Sequence, residues 1–348
     1  MNLQLRVRIN SQIHIKMEKK IVITGAAGFL GGRTAKHFAK HLKEYTIIGT
    51  SRRNSRKNEL NTEGSLFMEG DLTNPDFCDK LTKNVQIVVH CAAFSSPFGD
   101  YDAFYQSNFI ATDCLLKASI KNGVEKFIFI STPSIYFNYA DRFNVKESDL
   151  LPKKMVNHYA KTKLMAEELV LNFNGQGIET IALRPRAIIG AEDTVIFPRV
   201  LEAYNQGKLK IVGDGKNICD FTCVRNVIEA ISCCINAEKT AYGQAYNITD
   251  DKPVSFWDAV NYTLKGLNKQ PITRKIPKNI ALFAAGLVEF KAQLFKEKEP
   301  ALTKYGIGIL SQNFTLDISK AKKMLHYRPV MTTYQGINEF IEWEKTKS

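Results

Sequence analysis

The sequence predicts an α/β protein built on a doubly wound parallel sheet, with a smaller mixed α/β region toward its C-terminus. Three observations carry this. β-branched runs alternate with helix-spaced segments through the first half of the 348 residues. The first run, KKIVITG (19–25), leads into a glycine-rich turn, TGAAGFLGG (24–32), that opens a helix. After residue 186 the alternation loosens into short mixed pieces. A chain of this length that is 44% hydrophobic can bury a core large enough for such a sheet and an appendage.

Taken in order, KKIVITG reads as a buried strand because its apolar β-branched run is bounded by glycine. Residues 29–42 follow with helical spacing. YTIIGT (45–50), LFMEGDL (66–72), VQIVVHCAA (85–93) and KFIFIST (126–132) read as the next four strands, the last two separated by a long helical stretch over about 100–121. A helix over about 155–173 and the strand IETIALRP (178–185) complete the first region. Beyond it, LKIVGDG (209–215) and AYNITD (245–250) read as short strands, and 224–237 and 255–266 as helices, of a smaller domain laid over the ligand edge of the sheet. Met17, followed directly by EKKIVITGAAG, reads as the natural start. The expected organisation is therefore an extension without structure over 1–16, a dinucleotide-binding domain over 17–186, and a substrate-binding region over 187–348 with room for its elements to interleave with the first.

Composition narrows the function classes. The formal net charge of +13 is scattered, with clusters at Arg52, Arg53, Arg56 and Lys57 and from Lys291 to Lys304. No recognition-helix or zinc-finger pattern accompanies it, so no nucleic-acid partner is expected. Seven cysteines, an odd number without a CxxC pair, suit reduced thiols in a cytoplasmic protein. His37 and His41 stand one helical turn apart without a third ligand nearby, so no metal site is expected. The basic opening lacks the apolar core of a signal peptide, and no stretch reaches the roughly 20 apolar residues that span a bilayer. The longest candidate, IALFAAGLV (280–288), ends at Glu289. The segment 276–295 around it has apolar residues at helical spacing among lysines. It reads as a lid over a greasy pocket, an in-plane membrane contact, or a core helix.

The glycine turn carries the first chemistry. Gly25, Gly28 and Gly31 are spaced GxxGxxG between a strand and a helix. The first permits a tight turn, the second lets backbone approach a pyrophosphate, and the third lets helix and strand pack closely. At the end of the second strand Ser51 stands where an NAD site usually places an acid, and Arg52 and Arg53 follow. Arginines there can pair with the 2′-phosphate, so NADP is expected in preference to NAD. Asp71, after the third strand, is placed either to accept from the adenine amine or to serve as a solvated turn residue. Asn108, in the long helix, reads as a buried polar linchpin or a plain surface residue.

HYAKTK (158–163) carries the second. Tyr159 and Lys163, four apart on a helix, share a face. A lysine ammonium beside a phenol is expected to lower the tyrosine pKa and make it a proton donor and acceptor. The fifth strand ends FISTPS (129–134) and offers Ser131, Thr132 and Ser134 to polarise a substrate oxygen.

Together with YQSNFIATDCLLKASIKNGVEKFIFISTPSIYF (105–137), LRPRAIIG (183–190), GDGKNICDFTCVRNVIEA (213–230) and DISKAKKMLHYRPVMTTYQGINEFIEW (317–343), these motifs resemble the extended short-chain dehydrogenase/reductase family from Met17 onward. STPSIYF, YAKTKLMAEELVL and EPALTKYGIGILSQNFTLDISKAKKML are most similar to the branch of 3β-hydroxysteroid dehydrogenases, sterol 4-carboxylate 3-dehydrogenases and 2-alkyl-3-oxoalkanoate reductases. The resemblance implies a Rossmann-type NAD(P)-dependent oxidoreductase that interconverts a secondary alcohol and a ketone. Tyr159 would be its acid/base, Lys163 its partner, and Thr132 the Ser/Thr member. It also implies cofactor contacts at Phe29, Leu30, Leu72, Ala92, Ala93 and Pro185, and a homodimer.

Two departures separate the chain from nucleotide-sugar epimerases and dehydratases of that family. Pro133 and Ser134 replace the acids that follow the catalytic threonine in dehydratases. Ile218 stands where an arginine commonly grips the sugar diphosphate, and is expected to face the substrate. A small lipophilic substrate, sterol-like or 3-oxoacid-like, is therefore preferred to a nucleotide sugar, and a redox-inactive cofactor-binding sensor is a third reading. Ser95, Ser134, Arg186 and Arg199 are the substrate-side candidates. Arg186 stands just past a strand end and can hold a carboxylate; Arg184, in its Arg-Pro pair, reads as structural.

Overall fold

The computed structural model describes residues 19–53, 57–61, 64–295 and 302–347. The expected start at Met17, the extension 1–16, Arg56 and part of the Lys291–Lys304 cluster lie outside the described residues.

In chain order the strands are β1 (Lys19–Thr24), β2 (Tyr45–Ser51), β3 (Ser65–Glu69), β4 (Ile87–His90), β5 (Lys126–Ile130), β6 (Arg142–Val145), β7 (Glu179–Pro185), β8 (Ile188–Ile189), β9 (Ile211–Val212), β10 (Ile218–Cys219), β11 (Thr222–Cys223), β12 (Gln244–Ile248), β13 (Val254–Ser255), β14 (Lys275–Ile276) and β15 (Phe314–Leu316). The α-helices are α1 (Phe29–His41), α2 (Lys57–Leu60), α3 (Pro75–Leu81), α4 (Tyr101–Phe104), α5 (Ala111–Lys121), α6 (His158–Asn172), α7 (Ile196–Asn205), α8 (Val224–Ile235), α9 (Phe256–Gly266), α10 (Lys278–Leu294), α11 (Lys304–Ser311), α12 (Ser319–Met324) and α13 (Thr333–Lys345).

Seven strands form one parallel sheet in the order β12-β7-β5-β4-β1-β2-β3. Alternation along each strand sends residues to opposite faces. Ile21, Ile23, Ile47 and Val89 pack with α1 and α8 on one face, while Val22, Ile48 and Val88 pack with α3, α5 and α6 on the other. Both faces are covered, which is why the strands read as nearly continuous apolar runs. A second core, around Phe197, Phe221, Trp257 and Phe340, belongs to the smaller region. There β13, β10, β15 and β6 make a four-stranded sheet, and β8–β11 and β9–β14 make two short ribbons.

Three strands stop earlier than their apolar runs suggest. Gly70 to Leu72, Cys91 to Ala93, and Ser131 with Thr132 all leave the ladder at its carboxyl edge. These residues form loops along the carboxyl edge, where α/β sheets bind ligands, and the loop after β4 stands beside β1, where the strand order reverses. AYNITD also differs from its expected place. Gln244–Ile248 pairs with β7 as the edge strand of the large sheet rather than in the smaller region. LKIVGDG keeps only the two-residue β9.

The stretch 101–121 is helical throughout, with a π turn over Tyr105–Ile110 between α4 and α5. Asn108 lies on that turn and is buried. Its Nδ2 donates to Phe94 O (3.2 Å) and to Thr162 Oγ1 on α6 (3.1 Å), and its Oδ1 accepts from Phe94 N (2.7 Å). Thr112 donates to Asn108 O (2.6 Å), which leaves it to accept from His90 Nε2 at 2.9 Å. On the other side of the ring, Thr24 Oγ1 lies 2.7 Å from Nδ1 and accepts from Ala92 N at 3.0 Å. The network assigns His90 as the neutral Nε2–H tautomer, with Thr24 donating to Nδ1.

Burial and, after it, the Lys163 charge push the His90 pKa down to about 3 from its ordinary 6.5. Between those values the unfolded chain binds a proton that the folded chain refuses. Stability therefore falls as pH drops from about 6.5 toward 3. Urea unfolding of the parent and of His90→Gln at a series of pH values checks this. The parent is expected to lose about 1.4 kcal/mol more per pH unit than the variant in the middle of that window, and about half as much per unit at either end. Parallel pH profiles would refute it.

Candidate active site

A cleft of about 1440 Å³ runs along the carboxyl edge of the large sheet, from the glycine turn to α10 and α11. The expected cofactor and substrate residues converge on it: Gly25 to Gly31, Ser51 to Arg53, Asp71, Leu72, Ala92, Ala93, Ser95, Thr132, Ser134, Tyr159, Pro185, Arg186 and Arg199. Asn108 and Lys163 do not line it; both are buried beneath.

The glycine turn is shaped by close approach. Gly25 has φ +68°, and a Cβ there would stand 3.0 Å from the Ala92 backbone. A Cβ on Gly31 would stand 2.4 Å from Gly25 O, so a larger residue at position 31 would push α1 off β1. Gly28 caps α1 without a side-chain hydrogen bond, so the first turn presents backbone N–H groups to the cleft. That donor set fits a pyrophosphate. At the end of β2, Ser51 Oγ accepts from Arg53 N at 3.2 Å, and Arg52 and Arg53 are exposed beside it, with no acid at that position. Asp71 Oδ1 accepts from the N–H and the hydroxyl of Thr73, both at 2.9 Å, so it holds a turn as well as facing the cleft.

Asn157 caps α6 by accepting from Ala160 N at 2.8 Å, which sets Tyr159 in the first turn, over the end of β5. The phenol lines the cleft with Thr132 and Ser95, both of which favour its ionised form. Thr132 in turn donates to Ser134 Oγ at 3.0 Å, and Ser134 Oγ lies 2.8 Å from the Tyr305 hydroxyl. Three hydroxyls thus form a chain from Thr132, beside Tyr159, to α11. Ser131 Oγ, next to it, is buried without a hydrogen-bond partner among the described residues.

The expected effect of Lys163 on Tyr159 is not what the geometry gives. Lys163 Nζ donates to Ile130 O at 2.6 Å and lies 3.8 Å from the Phe129 ring centroid. Burial pulls its own pKa down to about 7, against the opposing charges of Glu167 and Cys91. The Tyr159 pKa is raised, chiefly by burial, with Thr132 opposing, Tyr305 adding and Ser95 opposing. The two side chains share a helix face, as expected. Both are buried at the seam between α6 and β5, where desolvation is the largest influence on each and neither shifts the other.

On the substrate side, Arg184 and Arg186 part company. Arg184 Nε donates to Glu167 Oε2 at 2.9 Å, and its other nitrogens reach Glu167 Oε1 and the Tyr136 hydroxyl. This is a structural pair buried inside the sheet edge. Arg186 lines the cleft, its guanidinium 4.9 Å from the Phe314 ring centroid and its Nε without a hydrogen-bond partner among the described residues. Asp220 nearby is pushed up to about 7 by burial, with Leu316 N and then Arg186 opposing. Arg199 lies exposed on α7 at the cleft.

Ile218 does not face the substrate. It is 41% exposed and absent from the cleft wall, while its strand neighbour Cys219 lines it, because alternate residues of β10 point to opposite sides. The apolar character of the chamber comes instead from Phe221, Phe256, Ile276, Ala281, Ala284 and Leu310. Among the described residues lining the cleft, the only carboxylates are Asp71 and Glu202; Pro133 and Ser134 follow Thr132. Tyr305 and α11 were not identified as site elements from sequence, whereas a lid was among the readings of 276–295, the segment that forms α10. Their one signal was a tyrosine set in the small, apolar run YGIGIL (305–310).

Comparison with known proteins agrees with this arrangement. The chain is 32% identical to 3beta-hydroxysteroid-dehydrogenase/decarboxylase isoform 1 of Arabidopsis thaliana, over 93% of this chain and 79% of that one. It is 30% identical to the 2-alkyl-3-oxoalkanoate reductase of Shewanella oneidensis (90% and 84% covered) and 29% identical to the mouse sterol-4-alpha-carboxylate 3-dehydrogenase, decarboxylating (94% and 91%). The crystal structure of a UDP-glucuronic acid 4-epimerase from Bacillus cereus in complex with NAD superimposes with a TM-score of 0.75 at 23% identity, covering 94% of this chain and 99% of that one, a likeness of fold. Residues 21–249 match the NAD dependent epimerase/dehydratase family, and the chain belongs to that family.

Proposed function

We propose that this protein is an NADP(H)-preferring oxidoreductase that interconverts a secondary alcohol and a ketone on a lipophilic substrate bearing an acidic group. The observation that carries this is the hydroxyl cluster of Tyr159, Thr132 and Ser95 opening onto an apolar chamber that has a buried arginine, Arg186, and no carboxylate beside Thr132. Bound in the cleft, a nicotinamide cofactor supplies or takes up the hydride. In the reducing direction Tyr159 gives its proton to the carbonyl oxygen, and in the oxidising direction it takes one from the alcohol. Thr132 and Ser95 favour the ionised form of the phenol. Lys163 braces α6 against β5 through the Ile130 carbonyl and so fixes the height of Tyr159 over the sheet. The relatives named for sterol carboxylates and 3-oxoalkanoates support a substrate that joins a hydrocarbon body to a carboxylate. A nucleotide sugar is the second reading, since Arg186 and Arg199 also stand where a diphosphate could be held.

The cofactor preference rests on Ser51, Arg52 and Arg53. NADP(H) is expected to bind more tightly than NAD(H), and Arg52→Ser should weaken NADP(H) selectively. Dissociation constants for both cofactors decide it, and equal or tighter NAD(H) binding by the parent would sink the idea.

Tyr159→Phe removes the hydroxyl that moves the proton and leaves the packing of α6 intact. Turnover on a lipophilic ketone should fall by about 10²–10⁴-fold with cofactor affinity unchanged. Near-normal turnover in the variant would exclude Tyr159 as the acid, and no turnover of any ketone or alcohol by the parent would favour a sensor.

For Arg186, a 3-oxoacid is compared with its methyl ester in the parent and in Arg186→Leu. The parent should prefer the acid and the variant should lose that preference, since a guanidinium grips a carboxylate through two bonds. An unchanged acid-to-ester ratio would leave Arg186 as scaffold.

A further inference from the structure

α10 is apolar on two faces. Its small residues turn inward: Ala281, Ala285 and Ala292 are buried, and Ala281 and Ala284 meet the cleft. Its bulky residues turn outward. Ile280, Phe283, Leu287, Phe290 and Leu294 are each more than half exposed, and their spacing of three and four puts them on one stripe along the helix. A helix that sits in water carries the reverse arrangement, large side chains in and polar ones out. An exposed apolar strip of this kind marks a surface that meets something.

The charges around the stripe say what. Lys278 and Lys291 stand on the helix itself. Immediately before it come Arg274 and Lys275, exposed, with Lys275 at the start of β14. β14 pairs with β9, whose approach carries the exposed Lys208 and Lys210 at the cleft mouth. Glu289, the helix's one acid, has an oxygen engaged by Lys304 N at 2.8 Å. A second copy of the chain is a poor occupant, because an antiparallel two-fold pairing of α10 brings Lys278 of one copy toward Lys291 of the other. A bilayer with anionic headgroups suits both features, taking the aromatic and aliphatic stripe into its acyl boundary and the basic rim against its phosphates. At 17 residues α10 is about 25 Å long, and among the described residues no helix is long and apolar enough to cross a membrane.

We infer that α10 lies in the plane of an anionic membrane surface, held by the Ile280–Leu294 stripe and the basic residues around it. This inference does not rest on the proposed reaction, and its test reads no turnover. The full-length chain is sedimented with phosphatidylcholine vesicles with and without phosphatidylglycerol, beside Phe283→Glu/Phe290→Glu and Arg274→Ser/Lys275→Ser double variants. Circular dichroism and cofactor binding establish that each variant is folded. The parent is expected to partition onto the phosphatidylglycerol vesicles in a salt-sensitive way, the phenylalanine variant to lose at least about tenfold in partitioning, and the basic-residue variant to lose most of the preference for anionic lipid. Absence of the parent from both vesicle pellets, or a phenylalanine variant that binds like the parent, overturns the inference. So does light scattering that shows a parent dimer turned monomeric by the phenylalanine changes without vesicle binding, which would assign the stripe to a second copy.

Discussion

The arrangement of the cleft depends on one buried polar seam. Thr24 at the end of β1, His90 at the end of β4, Thr112 on α5, Asn108 on the π turn and Thr162 on α6 are joined by direct hydrogen bonds beneath the point where the strand order reverses. Each member is buried, and each has its partners, so none bears the cost of an orphaned donor, which is about 1–3 kcal/mol per group. Because the seam has one end under the glycine turn and the other on the helix that carries Tyr159, it fixes the distance between the cofactor loop and the proton-transfer group. The π turn belongs to the same constraint. It places Asn108 where its amide can bridge the Phe94 backbone and Thr162 at once.

This seam also marks the border of what the sequence made legible. The strands of the large sheet and the helices between them follow from local periodicity, and the glycine turn and the Tyr159–Lys163 spacing are short motifs with their own mechanics. Asn108 was visible as a buried linchpin or a surface residue, and only the fold decides that its amide faces inward. His90 carried no local signal at all, because a histidine in VQIVVHCAA differs from its apolar neighbours only through partners 22 and 66 residues away. The same holds for Gln244–Ile248. Its apolar pattern says strand, but its place beside β7 is a long-range pairing reached through α7, the short ribbons and α8. Ile218 was misplaced because its orientation was carried over from the family's arginine position, while β10, only two residues long, turns Cys219 rather than Ile218 to the cleft.

Arg184 and Arg186 show how one residue divides structure from site. In a continuing strand the two would point the same way. The strand ends at Pro185, which leaves Arg186 one residue past it, and the chain turns directly after Arg186, where Ala187 takes a left-handed φ of +43°. Arg184 stays in the sheet with Glu167, where loss of the partner would strand a buried charge at a cost of about 3–5 kcal/mol, and Arg186 emerges into the cleft. The pairing of Arg184 with Glu167 has a second consequence. Glu167 lies one turn beyond Lys163 on α6, and its charge is the main influence that opposes the desolvation of that lysine. The carboxylate that neutralises Arg184 therefore also keeps the Lys163 ammonium from being weakened further.

The hydroxyl chain extends this coupling to the roof of the chamber. Tyr159, Thr132 and Ser134 belong to the large sheet's edge, but Tyr305 belongs to α11, which packs against α10. Thr303 caps α11 by accepting from Gly306 N at 2.9 Å, which starts the helix at Lys304, one residue before Tyr305, and aims that tyrosine toward Ser134. A displacement of α10 and α11 away from the sheet would break the Ser134–Tyr305 bond. That would leave Ser134 without its far partner and change the donors available to Thr132. The orientation of Thr132, the hydroxyl beside the Tyr159 phenol, thus depends on whether the roof is seated. In this way the pair of helices that closes the apolar chamber also sets the hydrogen bonding of Ser134 and, through it, of the Thr132 hydroxyl beside Tyr159, and the roof and the site are tied through a single 2.8 Å contact.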